Sequence, residues 1–253
     1  MQKLDCSIKS DKSLNTLFAL MLFMSKFDIE SKVSGGLLSE MILGGQDGVV
    51  NVLGITLAVA TATSSTKVVL IAALAALFAE SISMAAVAYT STKALRDYYK
   101  SRVQKEKWEI AHIPKEEERE IYDIYRKKGF KGELLRKIAR TIVARKRMWL
   151  SIMITDELGL PKKPPRHPAK SAAIVGFASV IGSLIPIIPF IFIPVKTSIA
   201  ISIIISCAVL FFAGAFKAKV TIGDWKKSGL EMVAVGISAA LAGYVIGYLL
   251  GKL

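Results

Sequence analysis

The chain has two cysteines and two histidines in 253 residues. Cys6 and Cys207 stand far apart with no ligand spacing around either, which excludes a disulfide framework and a thiolate metal centre. His112 and His167 each lie beside a proline at an expected helix end, where solvation or capping suits them better than metal binding. Zinc favours Cys and His ligands, and helical di-iron enzymes use two Glu-x-x-His pairs. The sequence does not supply two such pairs, and no catalytic residue or cofactor is assigned: the chain does not read as an enzyme. Acids are scarce as well, with 20 Asp and Glu against 34 Lys and Arg, a formal net charge of +14. That excess does not indicate nucleic acid, because the basic residues fall between or beside apolar blocks, where they set membrane topology.

Apolar residues make up 53% of the chain and come in long blocks. The fold class is therefore an all-α integral membrane protein. Five blocks reach spanning length, at about Leu37–Ala62, Val68–Thr92, Ser171–Pro194, Ser198–Phe216 and Gly229–Gly251. Pro186 and Pro189 predict a kink or break in the third. Gly243, Gly247 and Gly251 form a ridge on the fifth that suits close packing, within the chain or between two chains. The apolar run Leu14–Met24 is too short to span and reads as an interfacial amphipathic helix within an N-terminal arm, residues 1–36.

All but Lys67, Lys196 and Lys252 of the basic residues lie in that arm, in the 93–170 insert or in the 217–228 loop. The positive-inside rule then places the N-terminus and the insert in the cytoplasm and the C-terminus outside. With no evident targeting signal beyond the spans, the expected location is a prokaryotic cell membrane. The organisation is an arm (1–36), two spans (37–92), a helical cytoplasmic domain (93–170) and three spans (171–253).

Two spans carry acids. Glu40 and Asp47 are seven residues apart, on one helix face about two turns from each other. Glu80 and Met84 share a face of the second span. An acid inside a bilayer costs several kcal/mol on most scales and marks a functional site by default. The insert adds more. The second span is expected to continue to about Ile110 as one helix, with Pro114 opening the next. Glu106 and Glu109 precede that proline and Glu117 and Glu120 follow it, each pair on one face. Folded back, the two helices would bring four carboxylates together, an oxygen-rich site for a divalent cation. Met153 and Glu157, on an expected helix Trp149–Glu157, would add a thioether and a fifth carboxylate. Solvated glutamates on an exposed helix are the ordinary alternative.

Several stretches resemble the vacuolar iron transporter family: Gly44-Gly-Gln-Asp-Gly48, Ala79-Glu-Ser-Ile-Ser-Met-Ala85, Trp149-Leu-Ser-Ile-Met-Ile-Thr-Asp-Glu-Leu-Gly-Leu160 and Ile185-Pro-Ile-Ile-Pro-Phe190. The resemblance covers residues 35–253 and rests on the order and spacing of these motifs together. It implies an Fe²⁺ transporter, with Mn²⁺ as a second substrate, that exchanges metal for protons and works as a homodimer. By that resemblance Asp47 and Met84 are intramembrane metal residues. Glu106, Glu109, Glu117, Glu120, Met153 and Glu157 are then ligands of a cytoplasmic metal-binding domain, and Glu40 is an acid near the cytoplasmic end of the first span. Metal ions, protons and lipid are the implied partners, with metal as substrate. A carboxyl in a low-dielectric path keeps its proton until a dication arrives, so Glu40 and Glu80 are expected to pass protons. The chain departs from the family pattern at Ile154, where a second methionine is expected, and at Ala76, where an acid is expected one turn before Glu80. A membrane-anchored metal sensor that does not transport is the competing reading.

Overall fold

The computed structural model describes residues 35–221 and 223–252. The helix expected at Leu14–Met24 lies outside the described residues. The described chain is helical: α1 (Gly35–Thr63), α2 (Thr66–His112), α3 (Pro114–Lys127), α4 (Gly132–Val143), α5 (Lys146–Ile152), α6 (Pro168–Phe192), α7 (Val195–Val220) and α8 (Trp225–Leu250). Five of these, α1, α2, α6, α7 and α8, are long and apolar enough to cross a membrane. At 47 residues α2 is about 70 Å long, so it projects well beyond a hydrocarbon core of about 30 Å.

α1 is the centre of the bundle, packed against α2, α6, α7 and α8. Lipid gives no hydrophobic drive between helices, so close approach depends on small residues. A Cβ added at Gly48 would lie 2.4 Å from the Ser179 carbonyl oxygen of α6, and one at Gly182 would lie 2.2 Å from that of Gly45. The α8 ridge does the same on the other side of α1. Cβ atoms at Gly243 and Gly247 would lie 2.1 Å and 2.2 Å from the carbonyl oxygens of Gly54 and Ala58. The Gly243–Gly251 ridge is thus used within the chain. Gly247→Ala has no room for its methyl and is expected to destabilise the bundle by about 1–3 kcal/mol, read as a lower melting temperature in detergent.

Of the kink or break expected at Pro186 and Pro189, no break occurs: α6 is one helix through both. Buried serines of α7 brace this stretch. Ser202 donates to the Pro186 carbonyl at 2.9 Å, and Ser198 donates to Pro189 at 3.1 Å and to Ile193 at 2.8 Å. These bonds tie the proline-bearing end of α6 to α7.

The insert has its own small core of Ile121, Ala139, Ile142, Trp149 and Met153, with Ile110 of α2 packed against it. α3 starts at Pro114, and the positive φ of Gly129 and Gly159 turns the chain at the two expected stops. The last helix departs from expectation. α5 ends at Ile152, and Met153–Glu157 forms a π-helical turn in which the Leu158 amide donates to the Met153 carbonyl at 3.0 Å. His167 caps α6, its ring accepting from the Ala169 amide, and His112 stacks on Trp108 and bonds its carbonyl, so both histidines have local roles.

Candidate functional site

Two groups of acids stand out, one between α1 and α2 and one in the insert. The antiparallel register of α1 and α2 follows from their core contacts, Val52 with Ala73 and Leu77, and Ala60 with Val69. That register sets Asn51 level with Glu80 and Asp47 level with Met84. The Glu80 carboxyl stands beside that of Asp47, and Asn51 lines the same groove as Glu80. A groove of about 270 Å³ runs beside them, lined on the α1 side by Asn51, Val52 and Ile55 and on the α2 side by Ala76, Ala79, Glu80 and Ser83. Ala76 therefore opens on the same groove as Glu80. Asp47 also borders a second, smaller hollow with Leu43, Gln46, Val50 and Val235 of α8. Met84 is half-buried one turn from Glu80.

Glu40 has a different setting. It accepts a hydrogen bond from Ser171 at the start of α6 and pairs with Arg166 Nη1 at 3.0 Å. Arg166 belongs to the linker that returns from the insert. Glu40 thus ties that linker to α1, two turns from Asp47.

The insert brings its glutamates together. Ligand oxygens of Glu106 (α2), Glu117 (α3) and Glu157 (π turn) lie within 4.8 Å of one another. Glu120 stands beside Glu157 close enough to hydrogen-bond, and Glu109 faces the group while pairing with Lys105 at 2.8 Å. Glu106 and Glu117 are each only 3% exposed, and Glu106 Oε1 and Glu117 Oε2 are buried without a hydrogen-bond partner. Buried carboxylate oxygens left unpartnered are costly unless a proton or a cation meets them. Burial first, then the hydrogen bond with Glu117 and the charge of Glu157, push the Glu106 carboxyl up to about 8. Glu157, the outermost of the three, is pushed up to about 7 by desolvation of its carboxyl and by Glu120, and Glu117 is raised by burial. An all-oxygen cluster of this kind suits a hard or intermediate divalent cation. Met153 is fully buried in the apolar core of the insert, one π turn from Glu157, with Ile154 buried beside it.

Comparison with known proteins gives the family of the chain. The sequence model of the VIT family matches residues 38–248, most of the chain. The chain belongs to the VIT family. Among the relatives of this VIT-family chain is vacuolar iron transporter 2 of Oryza sativa subsp. japonica, 30% identical over 212 residues, which cover 83% of this chain and 86% of that protein. Vacuolar iron transporter 1 of Eucalyptus grandis is 29% identical over 83% of this chain and 85% of its own length. The vacuolar iron transporter of Plasmodium falciparum (isolate 3D7) is 29% identical over 84% and 82%. The VIT match spans both groups of acids.

Three participants in this VIT-family chain lie outside the residues expected from sequence. Asn51 follows Asp47 by one turn, and a carboxamide in an apolar run was a usable signal. Arg166 and Lys128 were indistinct among many basic residues, and only folding shows that they face Glu40 and Asp156.

Proposed function

We propose that this VIT-family chain carries Fe²⁺, and Mn²⁺ by similar ligand chemistry, out of the cytoplasm in exchange for protons. The observation that carries the reading is the meeting of Asp47 and Glu80 between two helices long and apolar enough to cross a membrane. Two ionised carboxylates in contact repel, and either a dication or a proton removes the repulsion. Metal and proton then compete for one place, which is the condition for antiport. A thioether at Met84, level with Asp47, would shift preference from Mg²⁺ or Ca²⁺ toward softer transition metals. Because Glu40 is held by Arg166, Glu80 is the freer proton carrier.

Among the described residues, the groove beside Glu80 is lined by α1 and α2 alone. A second copy of the chain would supply the missing wall, so the working unit in this reading is a homodimer with α1 and α2 of each subunit along the path. The insert lies on the cytoplasmic side, gathers metal at Glu106, Glu117 and Glu157 with Glu109 and Glu120 in support, and passes it to the path.

Raised carboxyls give the insert a pH signature. Metal needs Glu106, Glu117 and Glu157 ionised, so binding must displace protons held up to about pH 7 and 8. Affinity for Mn²⁺ at the insert is expected to rise steadily from pH 6 to pH 8 and to level off above. The metal-free protein runs the other way, losing stability as pH rises from the ordinary carboxylate range through about 8, because its folded state holds protons that the unfolded chain has released. Calorimetric Mn²⁺ titrations and melting curves over that range check both signs.

Transport itself is tested with purified protein in liposomes that carry a pH gradient and a metal-sensitive dye. Fe²⁺ and Mn²⁺ are expected to enter, with Zn²⁺ and Ca²⁺ slower. No flux of any ion, with metal still bound at the insert, would replace transport by a membrane-anchored sensor.

A further inference from the structure

The π turn Met153–Glu157 hangs one wall of the glutamate cluster on an unusual piece of backbone. A π turn closes a wider ring than an α turn and is uncommon unless something holds it, and such turns recur at functional sites. Here it gives Glu157 a place beside Glu106 and Glu117. Within the turn, Thr155 Oγ1 donates back to the Ser151 carbonyl at 2.9 Å and lies 3.0 Å from Asp156 Oδ1. The other oxygen of Asp156 pairs with Lys128 Nζ. Lys128 is the residue that ends α3, the helix that supplies Glu117 and Glu120, and its ammonium also sits 5.0 Å from the centre of the Tyr125 ring. Tyr125 in turn packs on the insert core.

We infer that Lys128 and Asp156 form a brace that positions Glu157 against the α3 glutamates and so sets the affinity of the cluster. The inference rests on the reading of the cluster as a metal centre. Neither residue belongs to the cluster, so both are positioning residues. The pair joins the two walls that must stay in register, α3 and the π turn, where no other ion pair links them among the described residues. It also engages the charge of Asp156, the acid next to Glu157 in sequence, so that this carboxylate is balanced by an ammonium rather than adding to the repulsion within the cluster.

The test is Mn²⁺ titration of the full-length protein in detergent at fixed pH and salt, with melting temperature followed in parallel. Lys128→Ala is expected to weaken Mn²⁺ binding about tenfold, in the range typical for residues that orient metal ligands. Lys128→Arg should hold near wild-type affinity, and the exchanged pair Lys128→Asp with Asp156→Lys should recover most of the loss. Asp156→Asn keeps the shape of the turn and should weaken binding to a similar degree, so it decides the matter if Lys128→Ala unfolds the insert. Glu106→Gln with Glu117→Gln is the reference. Should that double variant bind Mn²⁺ like the wild type, the metal-centre reading fails and the brace with it. Should it lose Mn²⁺ while Lys128→Ala and Asp156→Asn bind normally, the brace alone is overturned. A fall in melting temperature with unchanged affinity would likewise reduce the pair to a structural tie and overturn the inference.

Discussion

Asp47→Ala is expected to reduce Fe²⁺ flux to background while leaving the protein folded. Asp47 is half-buried on α1, and the tight contacts of that stretch with α6 are made by Gly44 and Gly48 on either side of it. Removing its carboxylate therefore takes little from the packing. What it takes is one of the two anions that meet between α1 and α2. A dication in a low-dielectric path is then short of a counter-charge, at a cost on the order of 3 kcal/mol, or about a hundredfold in rate. Asp47→Asn keeps the shape and should fail for the same reason. Flux in liposomes, compared with an unchanged melting temperature, checks both halves of the expectation.

The second large effect is expected at the insert. Glu106→Gln with Glu117→Gln should lower metal affinity there by on the order of a hundredfold, since affinity of oxygen sites follows ligand charge count. Stability should move in the opposite direction. Both side chains are buried and each holds an oxygen without a partner, so neutral amides remove like-charge repulsion from the metal-free protein. A variant that binds poorly yet melts higher than the wild type separates a binding site from a packing element. Lower affinity accompanied by unfolding would not carry that distinction, and the single variants then decide which carboxylate is the ligand.

Much of the fold was legible because a bilayer constrains sequence strongly. Five apolar blocks of spanning length gave five helices close to their expected bounds, and Pro114, Gly129 and Gly159 punctuated the insert as their backbone preferences require. Glu106 and Glu117 stand on either side of a helix-starting proline, and the fold-back of α3 on α2 sets them beside each other, with Glu157 as the third member of the group. Other features depend on tertiary detail. The π turn is one, because nothing in the spacing of Met153 and Glu157 distinguishes a π turn from an α turn. The uninterrupted α6 is another, since serines of α7 supply its bracing. The ion pair of Glu40 with Arg166 spans 126 residues of sequence, and no local pattern announces it. The Gly243–Gly251 ridge fitted packing within or between chains equally well until its partner surface on α1 was seen.

The central claim, that metal and proton exchange at the Asp47–Glu80 pair, is tested most directly by recording both ions at once. Liposomes containing the protein, a pH-sensitive dye and a metal-sensitive dye would receive Fe²⁺ under reducing conditions, with and without a protonophore. The account predicts that Fe²⁺ entry and proton exit rise together, that collapse of the gradient slows metal entry, and that Asp47→Ala removes both signals. Fe²⁺ entry that continues at full rate without proton movement, or in the Asp47→Ala variant, would contradict it.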